Sequence, residues 1–169
     1  MPRPIQGDFI AYQELYINCT RGNNIHEIIA NHSANIDDFI NALPEAKAEY
    51  KYAPEKWTVK DVLQHIIDAE RIFVYRALTF ARKDKSALPG FEENDYAANA
   101  NTSLRSLQSL KDEFIATRKS TDIFLASLTD DETKQSGMAN NNLITVNAIA
   151  FVILGHALHH INILQERYL

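Results

Sequence analysis

Residues 56–78 read KWTVKDVLQHIIDAERIFVYRAL, and their pattern is that of a capped amphipathic helix. Thr58 stands where an N-cap hydroxyl would satisfy a free backbone N–H, and Asp61, three residues on, where a capping-box carboxylate would reach back. Trp57 and Val62 flank this cap as a hydrophobic staple. The helix should run to about Arg82, ending in basic residues that suit the negative end of its dipole. Bordered by the apolar Val62, Ala69 and Ile72 is one histidine, His65.

The same periodicity recurs on either side. Upstream, residues 24–42 space Ile25, Ile28, Ile29, Ile36, Phe39 and Ile40 for a helix that Pro44 closes, with a shorter leading helix over about 7–18. Downstream, a long loop from Lys85 to Asn101 turns at Pro89-Gly90. A third long helix is expected over about Thr102–Leu128, with Leu104, Leu107, Leu110, Phe114, Ile123, Phe124 and Leu125 as its apolar set. TDDE at 129–132 caps a short helical turn. The polar stretch KQSGMANNN then leads to a last helix over about 143–167. There are five glycines, five prolines and no long alternating β-branched run. The fold expected is all-α: one domain over 1–169, a four-helix bundle with a short extra N-terminal helix and a long loop between the second and third bundle helices.

Composition narrows the function. The chain has 169 residues, 46% hydrophobic and 23% charged, with a net charge of −5. That balance disfavours non-specific nucleic-acid binding. Cys19 is the only cysteine, so no intrachain disulfide forms, and it reads as a small half-buried residue. MPRPIQGDFI at the start lacks the apolar core of a signal peptide. Residues 143–164 are apolar, but Asn147 and three histidines interrupt them, which lipid would penalise. A cytoplasmic protein without membrane contact is expected.

Those three histidines lie in GHALHHINIL, residues 155–164. His156 and His160 are four apart, ~40° around a helix axis, on one stripe with Ile149, Val152, Ile153 and Ile163. His159, ~60° to the other side of His156, edges that stripe. An H-x3-H pair alone equally describes hydrogen-bonded core histidines. Joined by His65, it matches an open transition-metal site of zinc or nickel type, with a fourth position for water or substrate. His26 and His32 are six apart on the first long helix and read as surface residues. Asp61 and Asp68, one turn before and after His65, are candidates to accept a ring N–H; helix capping and solvated charge are the competing readings. Glu70 projects toward Ile66, Phe73 and Ala77 and requires a cation, Arg118 or Arg105.

KWTVKDVLQHIIDAERIFVYRAL, LPGFEENDYA (88–97) and GHALHHINIL together resemble the DinB-like superfamily, closest to its branch of metal-dependent hydrolases and thiol transferases. The resemblance runs from about residue 24 to the end. It implies a four-helix bundle, usually dimeric, whose divalent metal is held by His65, His156 and His160. His159 takes the neighbouring position of the family's doubled histidine and is not itself a ligand. Activity is not implied: some relatives transfer low-molecular-weight thiols, others isomerise small acids, and many have no known substrate.

Two functions therefore fit. One is a metal-dependent enzyme acting on a small molecule, by hydrolysis or by transfer of a low-molecular-weight thiol. The other is a non-catalytic, stress-related binding module whose metal is structural, closed by a fourth ligand such as Asn94 or Asp95. No serine–histidine–acid or cysteine–histidine arrangement competes with the metal. Opposite the histidine stripe, Phe151, Leu154, Leu158 and Ile161 form a second apolar face, from which a homodimer is expected. The Lys85–Asn101 loop leaves its helix ~26 Å from His65, yet is long enough to fold back and flank the site, with Phe91 and Tyr96 as anchors.

Overall fold

In the computed structural model, which describes all 169 residues, the capping box at Thr58 forms as its sequence requires. The Thr58 hydroxyl accepts from the Asp61 N–H at 3.0 Å, and the Asp61 carboxylate accepts from the Thr58 N–H at 2.9 Å. It opens α3 (Val59–Ala81). With α2 (Ile25–Ala42), α5 (Leu107–Ser127) and α7 (Val146–Arg167), this helix makes the bundle. A short α1 (Ala11–Cys19) precedes them. α4 (Glu93–Asn99) and α6 (Asp130–Lys134) are brief, and α6 carries the expected Thr129–Glu132 capping box.

Three helix starts differ from expectation, the first being that of α1, at Ala11 rather than near residue 7. α5 begins at Leu107, capped by Ser106, whose hydroxyl accepts from the Ser109 N–H at 3.1 Å. Residues Thr102–Leu104 form a separate 3-10 turn after Asn101 enters the left-handed region (φ 52°), which leaves Leu104 in solvent. α7 begins at Val146, because 143–145 belong to a β-hairpin of β1 (Ser136–Ala139) and β2 (Asn142–Thr145). Ala139 pairs with Asn142 and Ser136 with Thr145, leaving Asn140 and Asn141 as a two-residue turn. Both have positive φ, 49° and 61°, and asparagine tolerates that conformation better than other non-glycine residues. The fold is thus helical with one small sheet.

α7 is the axis of the structure. Its length and composition would suffice to cross a membrane, but most of it is buried within the protein. α1, α2 and α3 pack on it from three sides. One apolar cluster gathers Ile17, Ile28, Phe80 and Phe151 around the first half of α7. A second gathers Ile36, Ile40, Leu63, Phe114 and Leu164 around its second half. Of the face for which a second copy was expected, Phe151, Leu154 and Ile161 are buried by the chain itself and Leu158 is half-buried. Most of this face is therefore covered without a second copy.

Glu70 pairs with Arg118 across α3 and α5 at 3.0 Å, both side chains almost wholly buried, and Asp122 flanks the same guanidinium. Arg105, the other candidate, instead pairs with Glu113 and donates to Gln64 Oε1. His32 is a correction: it is buried, not on the surface. Its Nε2 accepts from the Arg21 N–H at 2.7 Å, so the ring fastens the turn that enters α2. His26 is exposed.

Candidate metal centre

α3 contributes His65 and α7 contributes His156 and His160, and their rings meet between the two apolar clusters. One ring nitrogen from each lies within 4.8 Å of the others. His65 Nε2 and His156 Nε2 are 3.1 Å apart. Imidazoles bound tetrahedrally to one zinc ion at ~2.1 Å stand roughly 3.4 Å apart. One pair already has that spacing, and modest side-chain movement would bring in the third.

The surroundings of the rings are aromatic and uncharged. Trp57 packs 4.8 Å from His65, measured between ring centroids, and Phe73 and Tyr16 pack 5.6 and 5.3 Å from His156. Apart from the His65–His156 contact, none of the three rings has a hydrogen-bond partner. Burial holds His65 at about 4 and His160 at about 3, the latter helped by the neighbouring imidazoles, and it pushes His156 well below its ordinary value. All three are neutral at pH 7, so each offers a lone pair to a cluster that contains no proton donor of its own beyond the rings. Convergent neutral nitrogen donors in a buried setting suit a borderline-soft divalent cation.

Acid should therefore destabilise the metal-free protein. These histidines bind protons more readily unfolded than folded, so stability is full above pH ~6.5 and falls as pH drops toward ~4. For His65 alone the loss is of the order of 3 kcal/mol. Melting temperatures of chelator-treated protein should already decline between pH 6.5 and 5, above the range where ordinary carboxylates titrate. A flat profile there contradicts this reading.

The residues expected to support the ligands are occupied elsewhere. The Asp61 carboxylate is divided between the Thr58 N–H and the Thr102 hydroxyl. Asp68 accepts from Gln64 Nε2 at 2.9 Å. Neither reaches a histidine. His159 stands beside the site, its ring 5.2 Å from that of His160 and 5.4 Å from that of Tyr16. Asn94 lines a surface cleft with His160, and Asp95 lines another with Asp68. No carboxylate joins the three imidazoles.

His65 and His156 form part of the wall of a cavity of about 220 Å³. This is below the ~300–1,000 Å³ of drug-sized ligand pockets, so its occupant must be small. Three segments complete the wall. Tyr12 and Tyr16 come from α1, their hydroxyls 2.8 Å apart, and burial raises the Tyr16 hydroxyl above its usual range. α1 can lie this close because of Gly155: a Cβ there would run into the Tyr16 carbonyl. Phe91 and Glu93 come from the long loop, which does fold back as expected. Leu88 pairs with the hairpin through its N–H to the Met138 carbonyl at 2.9 Å, and Thr102 reaches Asp61 at the start of α3. The hairpin itself supplies Ala139, Asn140, Asn142 and Ile144. Sequence reasoning missed this third segment, although the run of three asparagines at 140–142 carries the signal for a tight turn.

Fold and site together define a four-helix-bundle protein with a cluster of three histidines, two of which open to one small cavity. The profile of the DinB superfamily matches residues 29–164, and the chain belongs to that superfamily. Among solved structures it is similar to YfiT from Bacillus subtilis, described as a probable metal-dependent hydrolase with an unusual four-helix bundle topology. The TM-score is 0.71 over 96% of this chain and 89% of that one, at 16% sequence identity, a likeness of fold. No curated protein sequence matches the chain.

Proposed function

We propose that the protein is a divalent-metal-dependent enzyme acting on a small molecule, with His65, His156 and His160 as the metal ligands. The observation that carries this is the convergence of three neutral imidazoles, His65 and His156 buried on a cavity wall and His160 half-buried beside them, without a carboxylate to close the set. A zinc or nickel ion held there would supply a water of lowered pKa for hydrolysis, or would hold a thiolate for transfer. Around it the chain's own residues have plain tasks. Phe73, Phe91 and Tyr16 keep bulk water from the reacting end. Tyr16 and Tyr12 share a hydroxyl pair that can hold a proton at the cavity edge.

Hydrolysis is the reading that YfiT's description supports. Thiol transfer would need a low-molecular-weight thiol from solution, because Cys19 does not line the cavity. A closed structural site is less well supported, since neither Asn94 nor Asp95 shares the cavity with His65 and His156. The test is a panel of small esters, amides and electrophiles offered to zinc- or nickel-loaded protein with and without an added small thiol. A hydrolase turns over without the thiol, and a transferase consumes it one for one. Protein that does neither, yet loses thermal stability on chelation, holds a structural metal, and the enzyme reading is then wrong.

A further inference from the structure

Arg76 is a half-buried cation that lines the same cavity and has no counter-ion. It stands eleven residues after His65 on α3, three turns on and ~20° from it around the axis, so both share one stripe of the helix. The guanidinium makes a single hydrogen bond, Nη2 to the Pro89 carbonyl at 2.8 Å. Its carbon lies 5.8 Å from the centre of the Phe73 ring and 6.0 Å from that of Phe91. Phe73 in turn packs 5.6 Å from the His156 ring. The cavity thus runs from imidazoles, past an aromatic wall, to a cation held in place by a carbonyl and two rings. Glu93 lines the cavity too, but it is exposed and forms no ion pair with Arg76. The other arginines on α3 and α5 each have a carboxylate partner within 4.0 Å, Arg71 with Glu113 and Arg118 with Glu70, as does Arg105 just before α5, with Glu113.

A planar fork of donors, fixed beforehand and unpaired, is suited to a carboxylate. We propose that the cavity takes a small organic acid, its carboxylate gripped by Arg76 and its apolar body laid against Phe73 and Phe91. That the far end of this acid meets the histidines rests on the metal-enzyme reading above; the grip of Arg76 does not.

Benzoate tests this, with benzamide as its neutral isostere and inorganic phosphate as an anion without an apolar body. Binding to zinc-loaded and to chelator-treated protein is measured by calorimetry, with metal content determined in parallel. Benzoate is expected to bind both forms, about tenfold or more tighter than benzamide, the range for hydrogen bonds to a charged group. Arg76→Gln should lose that margin while keeping wild-type metal content and helicity, and Arg76→Lys should retain part of it. Equal binding of benzoate and benzamide, phosphate binding as tight as benzoate, or full benzoate affinity in Arg76→Gln would each overturn the proposal. So would the absence of benzoate binding by the wild type. Benzoate bound only through the metal would vanish on chelation and ignore Arg76, which also overturns it. If no metal binds at all while the Arg76 dependence holds, the enzyme reading fails and the anion site stands.

Discussion

His156→Ala is expected to leave the protein without stoichiometric metal. His156 is one corner of a near-equilateral triangle, with its ring centroid 5.0 Å from that of His65 and 4.6 Å from that of His160, which are themselves 4.8 Å apart. Removing it leaves one donor on α3 and one on α7, too few to outcompete water for a divalent ion. The loss should exceed by far the ~10–100-fold that follows when only a supporting contact is removed. His159→Ala is the control, since it removes an imidazole from the same helix, beside the site but outside the triangle, and should keep the metal. Elemental analysis of both variants after dialysis against zinc decides the matter, with helicity measured to show that each has folded. Should protein lacking His65, His156 and His160 together still hold one metal per chain, the ligand assignment is wrong.

The parts of this site that were legible in the sequence are those fixed by helical geometry alone. Thr58 and Asp61 are three apart, so their capping box closes whatever packs around it. His156 and His160 share a stripe because residues four apart do so on any helix. What was not legible depends on neighbours distant in the chain. Asp61 and Asp68 are one turn from His65, but a carboxylate goes to whichever donor is nearest. For Asp61 that is the Thr102 hydroxyl, brought by the loop, and for Asp68 it is Gln64. His32 looked like a surface residue by its angle to His26, yet the chain before α2 wraps over it and offers the Arg21 N–H. Tyr16 became a neighbour of the site because Gly155 lets two backbones touch, a requirement invisible until both helices are placed. The hairpin escaped notice because its four-residue strands are too short for an alternating pattern. Only the asparagine turn marks it.

Glu70 and Arg118 show the opposite case, a buried charge whose need for a partner could be read from its helix face, and whose removal should cost stability rather than metal. Arg118 is 1% exposed and Glu70 2%. Neither lines the histidine cavity. The pair is not fully satisfied: the Arg118 Nη1–Glu70 Oε2 contact is an ion pair without hydrogen-bond geometry, Glu70 Oε1 and Arg118 Nε find no hydrogen-bond partner, and Ser33 Oγ and Asp37 Oδ1 on α2 are likewise buried without one. An incomplete buried network gives little net stabilisation over an apolar core, yet breaking it leaves a charge with no partner and no water. Arg118→Met should therefore lower the unfolding free energy by about 3–5 kcal/mol, because Glu70 is left as a buried, uncompensated carboxylate. Glu70→Leu alone should cost less, since Asp122 still neutralises Arg118. Combining the two should recover much of the loss in Arg118→Met, as the charge is then absent from both sides. Urea denaturation of the wild type, both single variants and the double variant gives the coupling directly. Additive losses would show that the ion pair is incidental and that α3 and α5 are held by Leu63, Leu107 and Phe114 instead. Metal content should be unchanged throughout, which separates the role of this pair from that of the histidines, of which His65 lies about one and a half turns before Glu70 on α3.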